Sequence, residues 1–154
     1  MPWSVVTFGE HKGKTLPQLI FSDPDWFFWA MAKGESFYWG KLKQEAAEID
    51  RRARRIRIPN NKTGIFRAEY IVHAPTGKFG SMQIVPADQP AHEGSSPTFR
   101  MTVIDLSVPR KIAPYDKLGC KNLISSVKCL FFGGSKTTQK LCETFFDKLE
   151  NFEL

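Results

Sequence analysis

The hydrophobic period of this chain changes at one place, and that change limits the possible folds more than any other feature. Before the segment PNNKTG, at residues 59–64, apolar residues recur every three or four positions, as on one face of an α-helix. After it, apolar and polar residues alternate in part, which is typical of half-buried strands. A helical period returns from residue 115 onward. The sequence therefore predicts an α+β fold with an N-terminal strand and helices, a small antiparallel sheet and two C-terminal helices.

The first region predicts one strand and three helices. The β-branched stretch SVVTF at residues 4–8 predicts a strand that enters a turn at Gly9. Pro17 suits the first turn of a short helix, and Asp23 followed by Pro24 is a second helix start. Apolar residues four, three and four apart predict a third helix over residues 36–55.

The second region predicts a hairpin, a further strand and two helices. Strands at 65–75 and 79–87 flank the turn TGK, and the polar segment 88–97 predicts a mobile loop. TFRMTVIDLSVP at residues 98–109 has the clearest strand pattern in the chain. Helices are predicted at 115–132 and 137–152, separated by Gly-Gly-Ser.

Composition indicates a folded protein without a membrane span. The chain has 154 residues, of which 42% are hydrophobic and 13% aromatic, enough for a packed core. No apolar run approaches the roughly 18 residues that cross a bilayer, so a cytoplasmic location is expected. The cysteine spacings match neither a disulfide framework nor a zinc site, so reduced thiols and no metal or cofactor are expected.

The segment RRARRIR at residues 51–57 contains five arginines in seven positions. Such a density of positive charge commonly marks a polyanionic partner, and it predicts DNA backbone contacts from Arg51, Arg52, Arg54, Arg55 and Arg57. The alternative is a solvated helix end, because cations near a helix C-terminus are favoured by the macrodipole.

The stretch TFGEHKGKTL at residues 7–16 contains Gly-Lys-Thr and raises the question of a phosphate-binding loop. The Walker pattern requires four residues between its glycines, whereas three separate Gly9 and Gly13. Leu16 and Pro17 also follow at once, where a P-loop would continue into a long helix. The sequence thus argues against a nucleotide hydrolase.

The same stretch, with Asp23-Pro24-Asp25-Trp26 and Trp29-Ala30, resembles the small module at the C-terminus of exodeoxyribonuclease X. The similar pattern is Phe-Gly, His-Lys-Gly-Lys and an aromatic-x-x-Trp after the helix start, over about residues 5–32. The family usually has lysine after the first glycine, where this chain has Glu10. The resemblance implies a non-catalytic part of DNA-processing proteins. It suggests two units, residues 1–58 with the basic helix and residues 63–154 of unknown type, or one shared core.

Two features near this module have alternative interpretations. Lys12 and Lys14, with turn backbone N–H groups, could meet phosphate oxygens, or the glycines could serve a turn whose lysines are merely solvated. Trp26 and Trp29 could stack on bases, although their helical spacing favours a place in the core.

These observations predict a non-catalytic DNA-binding accessory protein for single strands or DNA ends in replication, recombination or mobile-element biology. Its backbone contacts would come from Lys12, Lys14 and the five arginines. The alternative is a protein-binding adaptor or inhibitor of phage or mobile-element origin, whose basic helix docks on an acidic partner. A third possibility is a metal-dependent nuclease with a site built from Asp105, Glu69 and a histidine, although their spacing gives no positive sign of one.

Overall fold

The computed structural model describes residues 2–154, and this part of the chain has an α+β fold, as the sequence predicts. The helices are α1 (Leu16–Ser22), α2 (Pro24–Ala32), α3 (Lys43–Ala53), α4 (Val108–Ile112), α5 (Lys117–Phe132) and α6 (Gln139–Asp147). The strands are β1 (Ile56–Arg57), β2 (Phe66–His73), β3 (Lys78–Pro86), β4 (Thr98–Met101) and β5 (Val103–Ile104). Short 3-10 turns lie at Gly34–Ser36, Gly40–Leu42 and Leu149–Asn151.

The predicted N-terminal strand is a tight loop closed by a single bridge between Val5 and Thr15. Val6 N–H donates to the Lys14 carbonyl, and Gly13 N–H donates to the Val6 carbonyl, both at 2.8 Å. Gly9 and Gly13 have φ of 70° and 92°, a region that favours glycine, so the loop reverses too soon for a longer ladder.

The predicted helix at 36–55 begins later, because Gly40 interrupts it with a φ of 59°. Two 3-10 turns precede α3, which carries the predicted apolar stripe. Leu42, just before α3, and Ala46, Ile49 and Ala53 within it are buried. The stripe was therefore predicted well, whereas the start of the helix was not.

Three strands form an antiparallel sheet in the order β3-β2-β4, and β1 pairs with β5 in a second, two-stranded sheet. The predicted strand at 98–109 is wrong in its length, because it splits between the two sheets around Thr102. Tyr70 joins the pieces: its ring stacks on Phe99 of β4, and its hydroxyl donates to the Val103 carbonyl at 3.1 Å and accepts from Asp105 N–H at 2.9 Å. The Asp105 carboxylate then accepts from Ser107 N–H at 2.8 Å, and this bond turns the chain into α4.

Helix α5 is fixed to the edge of the larger sheet by Asp116. One carboxylate oxygen accepts from Gly119 N–H at 2.8 Å and caps the helix, and the other accepts from Phe79 N–H of β3 at 3.2 Å. A Cβ at Gly119 would lie 2.2 Å from this carboxylate, so only glycine fits there. The cap therefore fixes both the start of α5 and its distance from β3.

Most of the buried apolar residues belong to one cluster that runs from Trp3 to Phe152. It includes Phe21 and Phe27 from the first region, and Tyr70 and Phe146 from the second. β1 also bridges to Phe152 near the C-terminus. No helix within residues 2–154 combines the length and apolar character needed to cross a membrane.

Candidate nucleic-acid interface

The first two arginines of the basic run are held by one carboxylate on their own helix. Arg51 donates to both oxygens of Glu48, at 3.2 and 2.9 Å, and Arg52 donates to the same side chain at 2.7 Å. Hydrogen bonding from Arg51, followed by Arg52, holds the pKa of Glu48 below its usual value. Arg52 also donates to the Phe146 carbonyl at 2.5 Å and lies over the Phe152 ring, so it joins α3 to the C-terminal segment.

The next arginines also have intramolecular partners. Arg54 donates to Asp50 and to the Ser107 hydroxyl, both at 2.9 Å, and lies over the Phe28 ring. Arg57 donates to the Phe152 carbonyl at 3.0 Å. Among the residues that the structure describes, Arg55 is the arginine of the run whose exposed guanidinium has no acceptor.

The run therefore connects α3 to α2, α4 and the C-terminal segment, and it leaves Arg55 facing solvent. Arg51 and Arg57 remain about half exposed, at 46% and 51% of their side chains. A phosphate contact by the whole run would have to replace several of these bonds. Phosphate contact by the run remains a prediction, and Arg55 is the least constrained arginine in the run.

In the Gly9–Lys14 turn, three backbone N–H groups are already occupied. Lys12, Gly13 and Lys14 donate to the carbonyls of Gly9, Val6 and His11 at 3.3, 2.8 and 3.1 Å. These amides cannot also form the phosphate-binding edge considered from the sequence. The Lys12 side chain is exposed, whereas the Lys14 ammonium lies 3.5 Å from Nδ1 of His11.

An aromatic cluster lies beside this turn. Phe37 packs against Phe8, Trp26 and Trp29, with ring centroids 5.7 to 6.0 Å apart. Trp26 is half-buried, as its helical spacing suggested, but Trp29 is 38% exposed and its ring lies under the Lys33 ammonium at 5.3 Å. The cluster is thus continuous from the core to the surface.

Tyr38 extends from this cluster with 87% of its surface exposed. It lines two grooves of about 410 and 500 Å³, and Lys41 lines both of them. Lys43 borders the first groove, where Glu35 lies 3.5 Å from its ammonium. Phe37 lines the first groove and contacts Trp29, which carries the Lys33 ammonium over its ring. We use the name aromatic–lysine face for these linked residues, Trp29, Lys33, Tyr38, Lys41 and Lys43.

Sequence reasoning missed this face because residues 36–55 were assigned to a regular helix. The signal was present in KGESFYWGKLK at residues 33–43, where three consecutive aromatic residues lie between two glycines and three lysines. The glycines break the helix, and the break exposes Tyr38 beside the lysines.

The carboxylates considered for a nuclease do not share a site. Glu69 accepts from Gln83 and Arg100, both at 2.9 Å, whereas Asp105 accepts from Ser107 and Lys111. Within residues 2–154, neither belongs to a group of three or more potential metal ligands. One such group exists elsewhere, at Glu10, His11 and Asp23, where the sequence predicted no metal site. The adjacent pair Glu10-His11 is a weak signal, because Asp23 joins it only through the fold.

No family model matches this chain, and no curated protein or solved structure matches it either. The resemblance to the exodeoxyribonuclease X module over residues 5–32 therefore remains a prediction.

Proposed function

We propose that this protein is a non-catalytic, cytoplasmic DNA-binding accessory protein that binds single strands on its aromatic–lysine face. The observation that carries the proposal is Tyr38, a large aromatic side chain that is 87% exposed beside Lys41. The three free cysteines agree with a reducing compartment. Such binding would be used in replication, recombination or mobile-element biology.

The proposal favours single strands because of what an exposed ring can contact. A base presents its flat surface to an aromatic side chain only when it is unstacked, and such stacking tolerates any sequence. Tyr38 stands between two grooves, so a strand that follows both grooves would place one base on its ring. Trp29, which is 38% exposed, offers a second ring nearby through Phe37.

The lysines of the face suit the backbone of the same strand. Within residues 2–154, Lys33 and Lys41 have no carboxylate at salt-bridge distance, and Lys43 has only the exposed Glu35 at 3.5 Å. Such an exposed pair contributes little and is easily exchanged for a phosphate. Lys12 is a further exposed cation on the turn that packs against this cluster through Phe8.

The test is a fluorescence anisotropy titration with a labelled 15-nucleotide single strand and the matching duplex, at several salt concentrations. We expect tighter binding of the single strand. If three or four lysines each neutralise one phosphate, log Kd should change with log salt with a slope of about 2 to 3. Absence of binding by both oligonucleotides at low salt would refute the proposal.

Substitutions distinguish this face from the arginine run. Tyr38→Ala should weaken single-strand binding by about 5- to 150-fold, the equivalent of one stacked base at about 1–3 kcal/mol, whereas Tyr38→Phe should retain it. Lys41→Ala should lower the salt slope by about 0.7. Lys121→Ala, an exposed lysine on α5, is the matched control. If Arg55→Ala lowers the slope and Lys41→Ala does not, the binding surface is the run.

A further inference from the structure

Three potential metal ligands from two separate segments meet beside the Gly9–Lys14 turn. The nearest ligand atoms of Glu10, His11 and Asp23 all lie within 4.8 Å of one another. Nε2 of His11 is 3.2 Å from Oδ2 of Asp23 and 3.7 Å from Oε1 of Glu10. One imidazole nitrogen and two carboxylate oxygens are a donor set that divalent transition ions accept.

Contacts outside the group hold two of the ligands, Asp23 and His11, whereas Glu10 is a solvent-exposed side chain. Oδ1 of Asp23 caps α2 by accepting from Trp26 N–H at 3.2 Å, so Oδ2 is the oxygen that faces His11. The His11 ring is buried and packs edge-on against Trp26, with centroids 5.0 Å apart. Glu10 approaches from solvent with 72% of its side chain exposed, so it can adjust to an ion without moving the fold.

We propose that Glu10, His11 and Asp23 bind one divalent first-row transition ion, with Zn²⁺ preferred over Mg²⁺. The imidazole ligand favours Zn²⁺, whereas Mg²⁺ prefers oxygen donors and retains its waters. Glu10 and Asp23 also line an open groove of about 300 Å³, so the remaining coordination positions are filled by water. The ion ties the turn to the start of α2. The proposal does not rest on DNA binding, although Trp29 of the aromatic–lysine face lines the same groove.

Lys14 gives the proposal a specific test, because its positive charge beside His11 repels a bound cation. Its ammonium lies 3.5 Å from Nδ1 of His11 and can only donate, so in the neutral ring Nε2 carries the hydrogen that points to Asp23. An ion on Nε2 takes the place of that hydrogen, and the ring then carries its hydrogen on Nδ1, facing Lys14. Replacing Lys14 by glutamine removes a positive charge and supplies an acceptor for Nδ1–H.

The experiment is calorimetric titration of the full chain with ZnCl₂ and, separately, MgCl₂, with the melting temperature measured at each ion concentration. We expect saturable binding of one Zn²⁺ with a rise in Tm, because an ion that binds only the folded state stabilises it. Glu10→Gln and Asp23→Asn should each weaken Zn²⁺ binding at least about tenfold. Asparagine is also a good helix N-cap, so Asp23→Asn should keep α2 intact. Lys14→Gln should tighten binding.

The control variant is Glu35→Gln, which removes an exposed carboxylate outside the group and should leave the affinity for Zn²⁺ unchanged. Long-range ¹H–¹⁵N spectra should show the Zn²⁺-dependent change on the His11 ring. Unchanged affinity in Glu10→Gln and Asp23→Asn would overturn the proposal. So would weaker binding in Lys14→Gln, or a Zn²⁺ response confined to the exposed rings of His73 and His92.

Discussion

The buried ion pair between Glu69 and Arg100 allows the sharpest test of how the larger sheet is stabilised. Glu69 lies in the central strand β2 with none of its surface exposed, and it accepts from Gln83 of β3 and Arg100 of β4. Arg100 also donates to the Pro90 carbonyl at 3.1 Å, so it links the loop at 88–97 to Glu69. The substitution Arg100→Met keeps the aliphatic stem and removes the cation.

The expected loss follows from the bonds that disappear. A hydrogen bond to a charged group contributes about 1.5–3 kcal/mol, and breaking a fully buried pair costs about 3–5 kcal/mol. Here the Arg100 side chain is 22% exposed, so water can reach Glu69 once the guanidinium is removed. We therefore expect Arg100→Met to lower the free energy of unfolding by about 2–3 kcal/mol at pH 7.

The effect should depend on pH with a definite sign. Hydrogen bonding from Gln83, followed by Arg100, lowers the pKa of Glu69 below its usual 4.5 despite burial. A lowered pKa in the folded state contributes stability that is present above pH 4.5 and is lost as the pH falls below it. The difference between the wild type and Arg100→Met should therefore shrink on acidification below this value.

The assay is urea unfolding followed by tryptophan fluorescence at pH 7 and at two values below 4.5. Arg67→Met is the matched control, because Arg67 lies in the same sheet but donates only to the Gly64 and Phe66 carbonyls, at 2.7 and 2.8 Å. Arg67→Met should lower the free energy of unfolding by less than about 1 kcal/mol. Equal losses in the two variants at pH 7, or a difference that grows as the pH falls, would refute this account of Glu69.

Two further predictions concern the cap of α5 and the reactivity of the three thiols. Asp116→Ala should lower the free energy of unfolding by about 2–4 kcal/mol, because it removes the cap of α5 and leaves the Phe79 N–H without its acceptor; urea unfolding measures this loss. In the native protein, only the exposed thiol of Cys129 should react rapidly with Ellman's reagent. After unfolding, all three thiols should react. Burial raises the pKa of Cys120 to about 12 and that of Cys142 to about 11, which keeps them protonated.

Much of the fold could be predicted, because hydrophobic period and turn chemistry act over short distances. The hairpin of β2 and β3 and the end of α5 at Gly133 follow such local signals. The predicted strand at 98–109 is wrong in its length because its break depends on Tyr70, about 30 residues earlier in the chain. The Tyr70 ring stacks on Phe99 of β4, and its hydroxyl bonds the backbone of Val103 and Asp105. The hydrophobic pattern of residues 98–109 does not indicate these contacts with Tyr70.

The predicted mobile loop at 88–97 shows the same limit. Its composition is polar, as in a solvated loop, yet the Arg100 guanidinium donates to Pro90 within it. Buried Glu69 fixes the position of that guanidinium, since it accepts from Arg100 at 2.9 Å. The loop is thus attached to the sheet through Arg100, which pairs with Glu69. The alternating pattern of β2 did not indicate that Glu69 is buried.

The arginine run shows why charge density along a sequence is a poor measure of charge that is available to a ligand. Glu48 and Asp50 lie three or four positions before arginines on the same helix, a spacing that pairs them and is visible in the sequence. The carbonyls of Phe146 and Phe152 that accept from Arg52 and Arg57 lie about 95 residues away, and only the fold supplies them.

A cation contributes to binding a polyanion when no nearby group already satisfies it. The lysines at residues 33 and 41 meet that condition better than four of the five arginines, although their local charge density is lower. Their advantage comes from Gly34 and Gly40, whose left-handed conformations break the helix and leave Tyr38 exposed between them. If DNA binding depends on Lys41 and not on Arg52, the choice of interface follows from these two glycines.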